Sequence, residues 1–414
     1  MIQYILLTTL LIFLIVFITI KIRYPFWNIQ PVFHYYDYWR YLYREPFAIY
    51  RYVPLKTKFC DFEQVFTFPY LECSDKQKQQ LLNLLQCYYL PSHHIIHNIT
   101  ESDVNIILTG FQEPSYVSFY YEKEKTTIPG AVSLQDYNQE PVGCITSIPV
   151  NMFFLPTLRE PEYTERKMYF VNTLVVNRNR NQQKINRSLL QTHEYNQRVM
   201  NPTIHSTIIK KEVDLLDGVI PCVELNTTTF YIKDVKFPSL PPNNVVTEIN
   251  SDNFCVLDDF LKDMLNINYS SINCYFNMII LPDVTNMYNL IKTDQLLVYI
   301  LRERDQVLGV YIFKDTRLQH EKLEGNTIHF IASIMNNNNH QAFYVGFLFA
   351  LKSILKKKKN YKVLVFDSIS HNDIILSQWL QHNKPISITK TGYYLFNYII
   401  PMMPFNQTKT FISV

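Results

Sequence analysis

Glycine is scarce in this chain, at 8 residues in 414. There is no Gly-x-Gly-x-x-Gly, no P-loop, no Gly-x-Ser-x-Gly and no His-Glu-x-x-His. Glycine-cradled nucleotide sites, the serine-hydrolase elbow and the zinc-protease helix therefore lack their residues. Cysteine is equally uninformative as a framework. The seven Cys (60, 73, 87, 144, 222, 255 and 274) are odd in number, widely spaced and without a Cys-x-x-Cys. They read as reduced thiols, mostly buried as small apolar groups, rather than as disulfides. The net charge of +3 is too small to argue for a nucleic-acid partner. His93, His94 and His97 in "SHHIIH" have no Cys or acidic neighbour at metal spacing. They are expected in a surface loop, and no metal is expected.

What is present is apolar and aromatic. The hydrophobic fraction is 47% and aromatics reach 15%, a globular composition. The length suits two domains or one large double domain. Apart from one run at the start, no stretch is long and apolar enough to cross a bilayer. That run, Ile2 to Ile20, carries no charge and just suffices to span a hydrocarbon core of about 30 Å as a helix. It lacks the basic leader and small-residue cleavage site of a signal peptide. Lys21 and Arg23 follow it and no charged side chain precedes it. A single-pass anchor is expected, with the bulk of the chain on the cytoplasmic side.

The remainder alternates in a way that repeats. Residues 142–155 read as a strand, a turn near Pro149 and more extended chain. "KMYFVNTLVV" (167–176) reads as a buried strand, "NRNRNQQK" as a polar loop, and "INRSLLQTHEYNQRVM" as a helix with apolar residues at 185, 189, 190 and 199. Extended chain resumes at "STIIKKEVDLLDGVIP". The second half follows the same grammar. It offers a hairpin over 296–315 turning at Arg304-Asp305, a strand over 326–335, a loop at 336–339 and a helix over 342–358. A strand over 361–369, a helix over 373–383 and a last strand over 392–400 complete it. The Pro-rich "FPSLPPNN" (237–244) reads as the linker. Lys356 to Lys359 close a helix, where cations suit the dipole, and read as a solvated end.

Three stretches, "FWNIQPV" (26–32), "PVGCITSIPVN" (141–151) and "KMYFVNTLVV" (167–176), resemble the N-myristoyltransferase family in order and approximate spacing. So do "REPFAIYRYVPL" (44–55), "IKDVKFPSLPPN" (232–243) and the final "GYYLFNYIIPMMPFNQTKTFISV" (392–414). The resemblance implies an α/β fold of tandem acetyltransferase-like (GNAT-like) halves related by a pseudo-twofold axis. Its divisions here are the anchor (1–22), an acyl-CoA-binding half (23–236) and a peptide-binding half (237–414). It implies myristoyl-CoA as co-substrate, proteins beginning with glycine as acceptors, no resident cofactor and a monomer.

The same resemblance carries roles to single residues. Pro25, Phe26 and Trp27 would line the acyl-CoA site. Main-chain N–H groups of Thr173 and Leu174, beside Asn172, would hold the thioester oxygen, with Val175 and Val176 continuing that wall. Gln182, Lys184, Ile185 and Asn186 would cradle CoA phosphates at a helix N-terminus, where amides and dipole favour anions. Asn181, Gln182 and Asn186 depart from the family's Arg, Ser and Ala, which weakens charge and fit there. The terminal α-carboxylate, here that of Val414, would be the base that deprotonates the glycine ammonium. The family's acidic peptide loop has no equivalent in "CYYLPSHHIIH", and Glu224 falls nearest by count to a family histidine. Two other readings stay open: a non-catalytic membrane protein that keeps the fold to bind lipid or peptide, and a general amine acetyltransferase with a short acyl pocket.

Overall fold

The uncharged run at the start winds into helix α1 (Ile2–Arg23), 22 residues long. At 1.5 Å per residue this is about 33 Å, enough to cross the hydrocarbon layer. The window Tyr4–Arg23 is strongly apolar, with charge only at Lys21 and Arg23 in its last turn, and packs against nothing in the body of the protein. The structure is a computed structural model that describes residues 2–52, 54, 56–89, 95–122, 140–155, 163–232, 238–266, 276–336, 338–357 and 360–414.

After α1 come β1 (Phe47–Ala48), β2 (Val65–Pro69), α2 (Asp75–Tyr88), β3 (Ile95–His97), α3 (Glu101–Ile107) and β4 (Tyr116–Tyr120). Then follow β5 (Gly143–Phe154), β6 (Thr164–Val176), α4 (Gln182–Met200), β7 (Thr207–Glu212) and β8 (Val223–Tyr231). The second half holds β9 (Asn244–Ile249), α5 (Phe254–Leu265), β10 (Met278–Pro282), α6 (Val284–Lys292), β11 (Leu296–Glu303) and β12 (Gln306–His320). It continues with β13 (Gly325–Met335), α7 (His340–Lys356), β14 (Tyr361–Asp367), α8 (Asn372–Trp379), β15 (Ser387–Phe396), β16 (Tyr398–Ile399) and β17 (Thr410–Ile412). Capping boxes start α2, from Ser74 with Gln77, and α3, from Thr100 with Asp103. Each satisfies two amides that a helix start leaves bare.

Among the described residues fifteen strands share one sheet, whose spine runs β17-β10-β5-β6-β7-β15-β8-β14-β13-β12-β11-β9. The middle of that order displays the repeat of halves. In each half an antiparallel pair (β5 with β6, β12 with β13) carries a bulge. A helix follows (α4, α7), and its return strand lies parallel (β6 with β7, β13 with β14). Each half then gives a strand to the other: β8 pairs with β14, and β15 pairs with β7. The two donated strands pair with each other at the centre. This is the tandem α/β arrangement expected from the order of elements. One face of the sheet packs a cluster around Phe170, Val223 and Tyr393 and a second around Val298, Val310 and Ile312. Alternate residues on the other face pack around α4 and around α7.

Some local expectations are corrected. No turn occurs at Pro149; β5 runs straight through it, with Pro149 opposite Tyr169. Its missing N–H costs nothing there. On the other edge of β5, β4 stops at Ser147 and β10 begins at Val150, so Pro149 faces neither ladder. The extended run after Ser206 ends at Glu212, where Val213 takes a left-handed φ of 69°. His97 is buried rather than in a surface loop, its ring stacked on Tyr89 at 4.5 Å; His93 and His94 lie outside the described residues. Of the cysteines, Cys73, Cys144 and Cys222 are buried, but Cys87 and Cys255 are exposed; Cys274 lies outside the described residues. Lys357 is not simply solvated, since it pairs with Glu248 and, at 3.4 Å, with Asp294; Lys358 and Lys359 lie outside the described residues.

Candidate active site

Near its centre the sheet opens between β6 and β7. The β5–β6 register shifts between Thr146, opposite Thr173, and Ser147, opposite Val171, leaving Asn172 as the extra residue of a bulge. The parallel pairing of β6 with β7 covers only Tyr169 to Val171. Beyond it β6 stays with β5 while β7 continues on β15, so the two strands part. Leu174, in the middle of a central strand, is accordingly 39% exposed. Thr173 is fixed from β5 by a hydroxyl contact with Thr146 at 2.7 Å. Val175 points into the cluster around Phe170, and Val176 into the one behind the sheet.

Behind the opening lies the "FWNIQPV" segment. Phe26 is buried among Ile145, Val176, Ile185 and Leu189. Trp27 meets the Phe26 ring edge-on at 4.9 Å, and Phe59 does so at 5.0 Å. The guanidinium of Arg187 lies 5.8 Å from the Phe26 ring centre. Pro25 is exposed and lines nothing described. His34 Nε2 lies 2.9 Å from the Trp27 carbonyl, and burial lowers the His34 pKa. Asn397, buried at a left-handed φ of 63°, clips this arm to the sheet. Its amide donates to the carbonyls of Tyr50 at 2.9 Å and His205 at 2.7 Å, and its side-chain oxygen accepts from the Tyr50 N–H at 2.8 Å. Between arm and sheet is a cavity of about 340 Å³ lined by Gln30, His34, Tyr43, Phe47 and Ile399. The side chain of Gln30 is buried there with neither polar atom bonded.

The start of α4 faces the same region. Asn181 caps it, its side chain accepting from the Lys184 N–H at 3.1 Å. Gln182, Gln183 and Lys184 are exposed, Ile185 is buried, and the Asn186 side-chain oxygen is buried without a partner. Arg187, one turn further, was not singled out by the sequence, and its place beside Phe26 depends wholly on packing. The inner face of α4 is unexpectedly polar. His193 bridges Ser118 at 2.7 Å and Ser147 at 2.9 Å, and Asn196 donates to Thr67 at 2.9 Å. Thr207 donates to Glu194 at 2.9 Å and accepts from Gln197 at 3.2 Å. Burial pulls His193 down to about 3 and pushes the Glu194 carboxyl up to about 7, against the pull of Thr207 and Arg198. Apolar Val199, assigned to the buried stripe from sequence, is exposed instead.

The end of the chain lies on the other face of the sheet. β17 runs parallel to β10, and the Ser413 N–H donates to the Ile280 carbonyl at 3.1 Å. Phe411 and Ile412 are buried, and half-buried Val414 packs on the cluster that also holds Phe170 and Val175. Glu224 is not in this region: it faces the opposite side of β8, half-buried, paired with Lys390 at 2.8 Å. Among the described residues there is no group of three His, Cys, Asp or Glu that could hold a metal ion.

No protein-family model and no curated sequence matches this chain. Solved structures do match. A structure of Saccharomyces cerevisiae N-myristoyltransferase with bound myristoyl-CoA is 14% identical with a TM-score of 0.63, covering 93% of this chain and 96% of that one. A second structure of the yeast enzyme with myristoyl-CoA gives a TM-score of 0.64 at 14% identity, covering 93% and 92%. A third, with myristoyl-CoA and inhibitors, covers 91% and 90% at a TM-score of 0.63. At this identity the likeness establishes the fold, which is that of N-myristoyltransferase over nearly the whole of both chains.

Proposed function

We propose that this protein transfers myristate from myristoyl-CoA to the N-terminal glycine amine of proteins. The observation that carries this reading is the opening of the sheet at the Asn172 bulge, with α4 and Phe26 behind it and the chain end packed in front. It is supported by a full-length match to an enzyme whose structures hold myristoyl-CoA. The 23–236 half would bind the acyl donor and the 237–414 half the acceptor.

In this reading the thioester carbonyl lies against the N–H groups of Thr173 and Leu174. Each preorganised donor aimed at the developing oxyanion is worth about 3 kcal/mol. The acyl chain offers roughly 12 methylenes at about 0.8 kcal/mol each, a ceiling near 10 kcal/mol. CoA phosphates sit at the start of α4, with Lys184 and Arg187 as cations. The α-carboxylate of Val414 removes one proton from the glycine ammonium. Since an α-carboxyl has a pKa of about 3.5 and an α-ammonium about 7.8, a dry setting must narrow the gap. The free amine attacks the carbonyl carbon, the C–N bond forms, and the C–S bond breaks. The amine's second proton leaves with the CoA thiolate as thiol. No metal is required.

Helix α1 would hold the enzyme at the cytoplasmic face of a membrane, where Lys21 and Arg23 favour that orientation. One myristoyl chain gives its bearer only marginal membrane affinity, so an anchored transferase would release products where they are used. The direct test is thermal unfolding with a non-hydrolysable myristoyl-CoA. At a hundred times its Kd such a ligand adds about 2.7 kcal/mol to stability, seen as a raised Tm. An unchanged Tm at saturating ligand would overturn the proposal. Binding without transfer to any glycine-initiated peptide would leave a lipid-binding protein of the same fold.

A further inference from the structure

On the face of the sheet that carries Val414, a row of charged side chains crosses the central strands. Strand alternation places Lys210 and Glu212 on that face of β7, Thr391 on β15, Thr227 on β8, Asp367 on β14, His329 on β13 and Lys314 on β12. The row begins where β6 and β7 part, because Lys210 is the residue after Ile209, the last of β7 to face β6. Apolar clusters flank it on both sides. Most of its members are paired. Lys210 Nζ lies 2.7 Å from Glu212. One oxygen of Asp367 accepts from Thr227 at 2.7 Å, and the other lies 3.0 Å from His329.

Lys314 is the exception. Its stem is half-buried between Leu296 and His329, and among the described residues its ammonium makes no hydrogen bond or ion pair. Burial, and the nearby charge of Lys210, lower its pKa to about 8, so it remains mostly an ammonium at neutral pH. Asp367 does not discharge it. Burial would raise that carboxyl, but His329 and Lys210 hold it down to about 2, and both its oxygens are already engaged. Three donors with no acceptor in the protein, on a half-buried stem beside apolar side chains, suit a ligand carboxylate, because a charge-assisted hydrogen bond is strongest where water is partly excluded.

We propose that Lys314 is a specificity residue that binds a carboxylate on the acceptor chain, so that substrates with Asp or Glu a few residues beyond the glycine are preferred. This rests on the transferase reading for the identity of the ligand. The geometry favours an extended acceptor lying across the strands from the opening at β6 and β7 towards β12. Such a chain advances about 3.3 Å per residue, which lets a residue within the first eight reach the row.

The test uses the full-length protein in detergent and a set of glycine-initiated peptides with Asp, Glu, Ala or Lys at each of positions 2 to 8. Binding is read by fluorescence anisotropy and transfer by labelled myristoyl-CoA. Wild type is expected to bind the best acidic peptide about tenfold more tightly than its Ala counterpart, in the range of a desolvated charge pair. Lys314→Ala should abolish that difference, Lys314→Arg should keep it, and Lys314→Glu should invert it in favour of Lys. A purely structural lysine would lower Tm in these variants without inverting the preference, and that result overturns the proposal. Equal binding of acidic and neutral peptides by wild type overturns it as well. Peptides that bind in a Lys314-dependent way but are never acylated would sustain the subsite and sink the transferase reading instead.

Discussion

A chain lengthened by three residues beyond Val414 is expected to lose acyl transfer by about 10²–10⁴-fold, the usual contribution of a positioned general base. Its Tm should not move. The physical basis is the way the last residues are held. Strand β17 is fixed by its ladder to β10, with Ile412 opposite Ile280 and the Ser413 N–H on the Ile280 carbonyl. Those bonds survive an extension, while the carboxylate is carried away and a neutral amide takes its place. Deleting Ile412 to Val414 is a poorer test than the extension, because Ile412 is buried at 3% exposure. Losing such a side chain costs about 2–5 kcal/mol, and inactivity would then be confounded with unfolding. Removing Val414 alone keeps the strand and shifts the carboxylate by one residue. Activity that survives both the extension and this deletion would exclude a terminal-carboxylate base, whatever else the fold does.

Replacing Glu194 by Gln should stabilise the protein at pH 8 and leave it nearly unchanged at pH 4.5. Glu194 is buried on the inner face of α4, and burial pushes its carboxyl from 4.5 to about 7. A group raised in the folded state favours folding fully below its unfolded value and loses that contribution as pH climbs through the folded one. Two and a half pH units at about 1.4 kcal/mol each amount to about 3–4 kcal/mol lost as pH climbs from 4.5 through 7. Gln keeps the shape and still accepts from Thr207, but carries no charge to desolvate. His193, next along the helix, works with the opposite sign. Its pKa is lowered from 6.5 to about 3, so its contribution is whole above pH 6.5 and is lost as pH falls. Wild type and Glu194→Gln share that effect, so the difference between their denaturant midpoints isolates Glu194. A difference that stays flat from pH 4.5 to 8 would mean that the carboxyl is ionised and satisfied at all these values.

The polar seam of α4 also marks a limit of reading from sequence. The apolar residues at 185, 189 and 190 define the first half of its buried stripe correctly. From Gln191 to Arg198 the buried side chains are Gln, Thr, His, Glu, Gln and Arg, and hydropathy assigns such residues to solvent. They are buried because Ser118, Ser147, Thr67 and Thr207, from four strands, supply partners to this seam. The wrong assignment of Val199 follows from the same cause. Pro149 is a parallel case, since a proline inside a strand is tolerated only where a neighbour is missing, and the gap between β4 and β10 is set by residues far away in the chain.

By itself the sequence determined what local chemistry can dictate. An uncharged apolar run becomes α1, alternating β-branched and aromatic residues become strands, and capping residues start helices. The order of these elements then implies two halves, and Phe26 and Trp27 belong to a motif whose family resemblance implies an acyl-CoA wall. Only the tertiary structure decided the extra residue at Asn172, the parting of β6 from β7, the Asn397 clip and the charged row ending at Lys314. Each of these depends on which strand lies beside which, and pairs such as Asn397 with Tyr50 join residues 347 positions apart. Local propensity carries no record of such pairings, because their free energy comes from partners that only the folded sheet brings together.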